Sequence, residues 1–194
     1  MEVTNSNKQN NFKKKKEVRL MSIYSKALIT RTISLSIKSV GKNIRQIIEM
    51  EVGNIFEGKC LVEGFVKPKT TKIISFSSGL IERGTNISFE VVFECEICFP
   101  VEGMLLTCEA KNITKAGIRC ESSEEKPSPI VVFIARDHHY NNNYFSSIQE
   151  GDKVNIRVIG QRFELNDKFI SIIGELVVPN NLRVPDKPKL VIEN

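Results

Sequence analysis

A chain of 194 residues, 41% hydrophobic and 26% charged, has room for one ordinary soluble domain or two small ones. It holds no run of about 18 apolar residues, which excludes a membrane-spanning helix, and its basic, polar N-terminus lacks the apolar core of a secretory signal, so an intracellular protein is expected. The net charge of +5 is uneven, with +4 on residues 1–20, +2 on 21–100, −2 on 101–177 and +1 on 178–194, so any nucleic-acid binding by the folded body needs a local patch rather than a global field.

Residues 1–20 read as a disordered basic tail, dominated by Asn, Lys and Gln and by the like-charged run Lys13–Lys16. Order is expected from about Met21, with a half-buried strand where apolar and polar side chains alternate from Thr30 to Ile37. Val40, Ile44, Ile47, Ile48 and Val52 recur at helical spacing, and Gly53 is a candidate for the helix end. Strands are expected over Gly58–Val66, Lys72–Phe76 and Ile87–Cys95 as a short antiparallel meander, with turns at Lys67-Pro68-Lys69, Ser77-Ser78-Gly79 and Arg83–Asn86. Phe99-Pro100 is the expected boundary between a first domain over 21–100 and a second domain over 101–177. Five strands follow: Gly103–Ala110, Gly117–Glu121, Ile130–Ala135, Lys153–Phe163 and Lys168–Leu176. The polar stretch His138–Gln149 separates the third from the fourth, a spacing that predicts an OB-fold barrel, and Asn166-Asp167 makes a tight turn into the fifth. A proline-bearing extension occupies 178–194. The predicted class is α+β, mostly β: a helix and an antiparallel sheet, then a five-stranded barrel.

The residues offer little chemistry. Five cysteines at irregular spacing point to reduced thiols. Cys95 and Cys98 form a CxxC with no second pair to complete a zinc site, and His138-His139 stands near no recognisable nucleophile, paired acid or phosphate loop, so neither a metal, a cofactor nor an enzyme is expected. An OB barrel holds single strands with exposed aromatics and basic side chains, and the candidates for RNA contact are Lys111, Lys115, Arg119, Phe133, Arg136, His138, Tyr140, Arg157 and Arg162.

Several motifs, taken in order, resemble the family of the seventh subunit of RNA polymerase II, which has counterparts in archaea and in large DNA viruses. They are Glu57-Gly58-Lys59-Cys60, Gly64-Phe65, Val91-Val92-Phe93, Phe99-Pro100-Val101-Glu102-Gly103, Asn112–Gly117, Gly151–Gly160 and Ile173-Gly174-Glu175. The resemblance implies a polymerase stalk subunit whose tip docks beside the clamp and whose barrel faces emerging RNA, with a small helical fourth-subunit partner in cellular enzymes. It implies a nuclear location in a cell, or the host cytoplasm or virion for a virus, and the Asn/Lys/Ile-rich composition without Trp suits a viral source. Docking residues are then expected among Gly64, Phe65, Lys67, Pro68, Leu80 and Ile81. The reading that competes with this one is a free OB-fold RNA-binding protein of translation or RNA decay, which accounts for the second half of the chain and leaves the first unexplained.

Overall fold

A computed structural model describes residues 22–179 apart from Arg83 and Glu124. The basic leader expected over 1–20 and most of the extension expected over 178–194 lie outside the described residues. The first half is built on one long strand. Strand β1 (Tyr24–Ser36) pairs along its whole length with β6 (Asn86–Cys98), in register from Tyr24 opposite Cys98 to Ser36 opposite Asn86. The other edge of β6 carries three short strands end to end: β5 (Leu80–Ile81), β4 (Lys72–Phe76) and β3 (Gly64–Val66), the last pairing with β2 (Cys60–Leu61).

Helix α1 (Ile44–Phe56) covers one face of this sheet. Ile48 and Val52 on the helix meet Ile29, Ile33, Phe89, Val91, Phe93, Cys95 and Ile97 in a core of alternating strand residues. The helix does not end at Gly53. The apolar spacing continues through Phe56, whose ring stacks on Phe93 at 5.5 Å, and the backbone turns out at Gly58, with φ +70. The expected single strand Gly58–Val66 is a hairpin instead, because Val62-Glu63 turns the chain between Leu61 and Gly64. The expected meander is likewise replaced by β6 serving as common partner, and Leu80-Ile81, which lies between two expected turns and outside the expected strands, joins the sheet as β5.

The second half is a closed barrel of β7 (Leu105–Ile113), β8 (Gly117–Ser122), β9 (Ile130–Ala135), β10 (Lys153–Arg162) and β11 (Ile170–Leu176). β7, β8 and β9 pair in sequence, β11 lies parallel to β9, and β10 closes the ring between β11 and β7, the OB arrangement. The parallel pair needs a long crossover, which runs through helix α2 (Asn143–Ser147) and β10 before it returns as β11. Phe145 and Ile148 from this crossover are buried in the barrel core.

Two polar side chains fix these halves internally. The Leu176 N–H donates to Nε2 of buried His139 at 3.0 Å, which leaves Nδ1 to carry the proton and donate to the Ala135 carbonyl at 2.8 Å. His139 thereby ties the ends of β9 and β11 from inside. In the tip, the Glu57 carboxylate accepts from the Lys69 and Thr71 N–H groups and the Thr71 hydroxyl, anchoring the Lys67–Thr71 turn to the end of α1.

His139→Ala leaves the buried Leu176 N–H without an acceptor, and a loss of about 1–3 kcal/mol is expected in chemical denaturation. Burial alone would raise the Glu57 carboxyl, but its hydrogen bonds from Thr71 and Lys69 outweigh that and hold it below the ordinary carboxylate range. Its contribution is therefore present above the unfolded carboxylate value and is lost as pH falls through the lowered one. Glu57→Gln should cost about 1 kcal/mol at neutral pH, a figure already discounted for solvent screening, and the gap from wild type should close in acid; a constant gap would refute it.

Candidate functional site

Three of the nine RNA candidates, Lys115, Phe133 and Arg136, come together at one end of the barrel. The turn 114–117 joins β7 to β8, and Thr114 closes it by donating from its backbone N–H to the Gly117 carbonyl at 2.9 Å. Arg136, just after β9, donates from Nε to the Lys115 carbonyl at 2.9 Å and from Nη2 to the Thr114 carbonyl at 3.1 Å. Its guanidinium lies 5.1 Å from the centre of the Phe145 ring, which stacks on His139 at 5.4 Å. Arg136 thus holds the turn, and the exposed Lys115 side chain and Arg136 line an open groove together with Ile113 and Thr114. Phe133 is opposite Arg119 on β8, and its ring edge lies against Gly117, where an added Cβ would approach Phe133 Cζ to 2.9 Å.

The other candidates are dispersed. Arg119 pairs with Glu121 at 2.9 Å, Lys111 with Glu109, and Arg162 with Glu164 at 3.2 Å, so these charges are locally balanced. Arg157 is beyond β11 from Phe133 and faces Glu175 at 3.7 Å. Arg162 is at the opposite end of the barrel wall, level with Ser171 and Val131. His138 and Tyr140 are exposed on the segment after Arg136, near the groove in sequence.

The docking candidates divide in the same way. Leu80 and Ile81 are 72% and 73% exposed at the end of the sheet where β5 meets the start of β6. Pro68 is exposed, whereas Lys67 is tied to Glu96 at 3.2 Å and Glu125 at 2.9 Å and lies over the Tyr24 ring. Gly64 and Phe65 are buried within the chain, Phe65 to 3%, so they offer no side chain to a partner. Phe65, with Cys60 and Cys98, enters the barrel core rather than the tip core. Gly64 has φ +129, and a Cβ there would meet the Cys98 carbonyl at 2.5 Å, so the hairpin can approach β6 only through glycine.

This junction is made at several points. The Cys60 N–H donates to the Asp167 carbonyl at 2.8 Å, and the Asn166 N–H donates to the Cys60 carbonyl at 2.9 Å. Phe99 meets Phe163 edge-to-face at 6.0 Å, and the Tyr24 hydroxyl donates to Glu125 at 2.6 Å. Burial first, then the Glu125 carboxylate, raises the Tyr24 hydroxyl above its ordinary range. The CxxC is split by the same geometry. Cys95 faces the tip core and Cys98 the barrel core, from opposite faces of β6, so the two sulfurs do not converge on one ion. Burial pushes the Cys98 thiol up to about 12 and that of Cys95 up to about 11. Among the described residues no group of three His, Cys, Asp or Glu is placed to hold a metal ion, and no helix is long and apolar enough to cross a membrane.

No protein-family model matches the chain. It is 26% identical over 193 residues to a protein of Acanthamoeba polyphaga mimivirus named as DNA-directed RNA polymerase subunit L376, covering 89% of this chain and 93% of the relative. It is 25% identical to DNA-directed RNA polymerase II subunit RPB7 of Glycine max and 24% identical to DNA-directed RNA polymerase II subunit 7 of Arabidopsis thaliana, each over 173 residues, 76% of this chain and 95% of the relative. The resemblance drawn from the motifs is thus borne out at modest identity along most of the chain.

The motif Gly64-Phe65 was legible as something special, but its part in the junction was not, because nothing local says that a tip residue is buried in the barrel core. Phe65→Ala should lower stability by about 3–5 kcal/mol in denaturant titration, the cost of emptying a large buried aromatic site. An unchanged transition midpoint would show that the junction does not depend on this ring.

Proposed function

We propose that the chain is a non-catalytic stalk subunit of a DNA-directed RNA polymerase, docking on the core near the clamp through its tip and offering its barrel to nascent RNA. One observation carries this reading: the exposed apolar pair Leu80-Ile81 and the basic groove of Lys115 and Arg136 belong to opposite parts of one joined body. Strand β6 separates them, with Ile87 and Ser88 beside the apolar pair at its start and Cys98 in the barrel core at its end. Its 13 residues span roughly 40 Å at the usual rise per residue. A docking surface at one end and a nucleic-acid surface at the other is the layout that a stalk requires. The polymerase subunits among the relatives support it, because their similarity runs through both halves of this chain.

Docking then rests on Leu80 and Ile81, since a few apolar anchors supply most of the affinity at an interface, whereas Pro68 is beside Gly58 near the other end of β6. A small helical fourth-subunit partner has a surface of its own at the junction. There Val62 and Leu165, 71% and 62% exposed, are apolar residues on the two connections, β2–β3 and β10–β11, that meet through the hydrogen bond from Asn166 to Cys60. RNA contact is sequence-tolerant, because the barrel offers stacking and a few cations in place of a strongly charged face.

The test is native mass analysis of the complex purified from its source through a tag on this chain. Large catalytic polymerase subunits are expected with wild type, and Ile81→Asp should reduce their recovery by at least about tenfold, the effect of losing one central anchor, while the far-ultraviolet dichroism stays unchanged. Recovery of ribosomes, or of this chain alone, would overturn the polymerase reading in favour of a free RNA-binding protein.

A further inference from the structure

We propose that the Thr114–Gly117 turn and Phe133 form a one-nucleotide step for single-stranded RNA, with the phosphate in the groove and the base on the Phe133 ring. The proposal rests on the RNA-contact part of the function above and specifies where and how that contact is made.

Three observations meet here. First, the groove lined by Ile113, Thr114, Lys115 and Arg136 is a place on the barrel where candidate cations stand without a carboxylate partner: among the described residues neither Lys115 nor Arg136 is in an ion pair, whereas Lys111, Arg119, Arg157 and Arg162 each are. At the groove's edge the Glu150 carboxylate accepts from the Ile113 N–H at 3.4 Å. Second, Arg136 already spends two donors on the carbonyls of Thr114 and Lys115. It is therefore a positioning residue: it fixes the turn that presents Lys115, and Lys115 is the free cation for a phosphate. Third, Phe133 adjoins this turn directly. Its ring edge lies against Gly117, and the residue is 39% exposed on the outer wall between Arg119 and Ile173. A side chain at Gly117 would collide with that ring edge, so glycine is what lets the end of the turn and the ring lie side by side. A phosphate held at Lys115 has its own base within reach of an aromatic face, and base–aromatic stacking tolerates any sequence.

The two parts separate experimentally because stacking and phosphate neutralisation respond differently to salt. The probe is a fluorescently labelled oligouridylate titrated with the full chain at several salt concentrations. Phe133→Leu keeps an apolar side chain against Gly117 and Ile173; it should weaken binding roughly tenfold with an unchanged salt slope. Lys115→Ala should weaken binding and reduce the slope by about 0.7, the value of one phosphate on a single strand. Thermal denaturation of both variants should match wild type. Wild-type RNA affinity in Phe133→Leu would overturn the step while leaving RNA contact elsewhere on the barrel standing. If Phe133→Leu instead loses polymerase subunits on purification and keeps its RNA affinity, the ring faces a protein neighbour and the step is refuted. No measurable RNA binding by wild type would sink both the step and the RNA reading on which it rests.

Discussion

Strand β6 belongs to two hydrophobic cores, and most of the architecture follows from that. From Phe89 to Ile97 its alternate side chains face α1, as expected of a strand with one covered face. At Cys98 the side chain turns to the other face and enters the barrel core, while the backbone at the same level pairs with Phe65. Because β3 must lie against β6 there with no room for a Cβ at Gly64, the β2–β3 hairpin is pressed into the barrel and its Phe65 ring becomes barrel core. The junction is therefore a packed interior, and the hydrogen bonds of Cys60 with Asn166 and Asp167 complete it. A surface at the tip and a surface on the barrel then keep a fixed separation.

That fixed separation gives the charge distribution its meaning. The net excess of the chain is concentrated in the first twenty residues, and the barrel is slightly acidic. Most arginines on the barrel wall are neutralised by neighbouring glutamates. Lys115 escapes because it is on a turn whose carbonyls, not a carboxylate, are satisfied by Arg136. One free cation beside one exposed ring suits weak contact with a moving strand better than tight capture.

Much of the fold was legible in the sequence where local signals act alone. Strands β4 and β9 begin and end where alternation and turn residues say they should, and Asn166, with φ 68, makes the turn that its side chain predicts. Reading failed where a long-range contact decides. Gly53 looks like a helix end, but Phe56 is drawn on by the Phe93 ring, which is distant in sequence. Leu80-Ile81 lies between two turn signals, but the free edge of β6 recruits it. The site was legible in type and not in membership: Lys115, Arg136 and Phe133 were found by composition and strand placement, while only the register between β8 and β9 tells that they adjoin and that Arg162 does not.

The barrel's closing pair has a consequence for how the chain is made. Among the described strands β11 is made last, yet it joins β10 to β9 and covers the core that Cys60 and Phe65 share with Ile170, Ile172 and Leu176. A ribosome adds roughly 5–20 residues per second, so the tip sheet is synthesised several seconds before the barrel core that buries Phe65 is complete. During that interval the nascent chain displays an aromatic side chain and two thiols, Cys60 and Cys98, at its junction. Arrival of β11, rather than formation of the tip, is the step that closes the core around these three side chains.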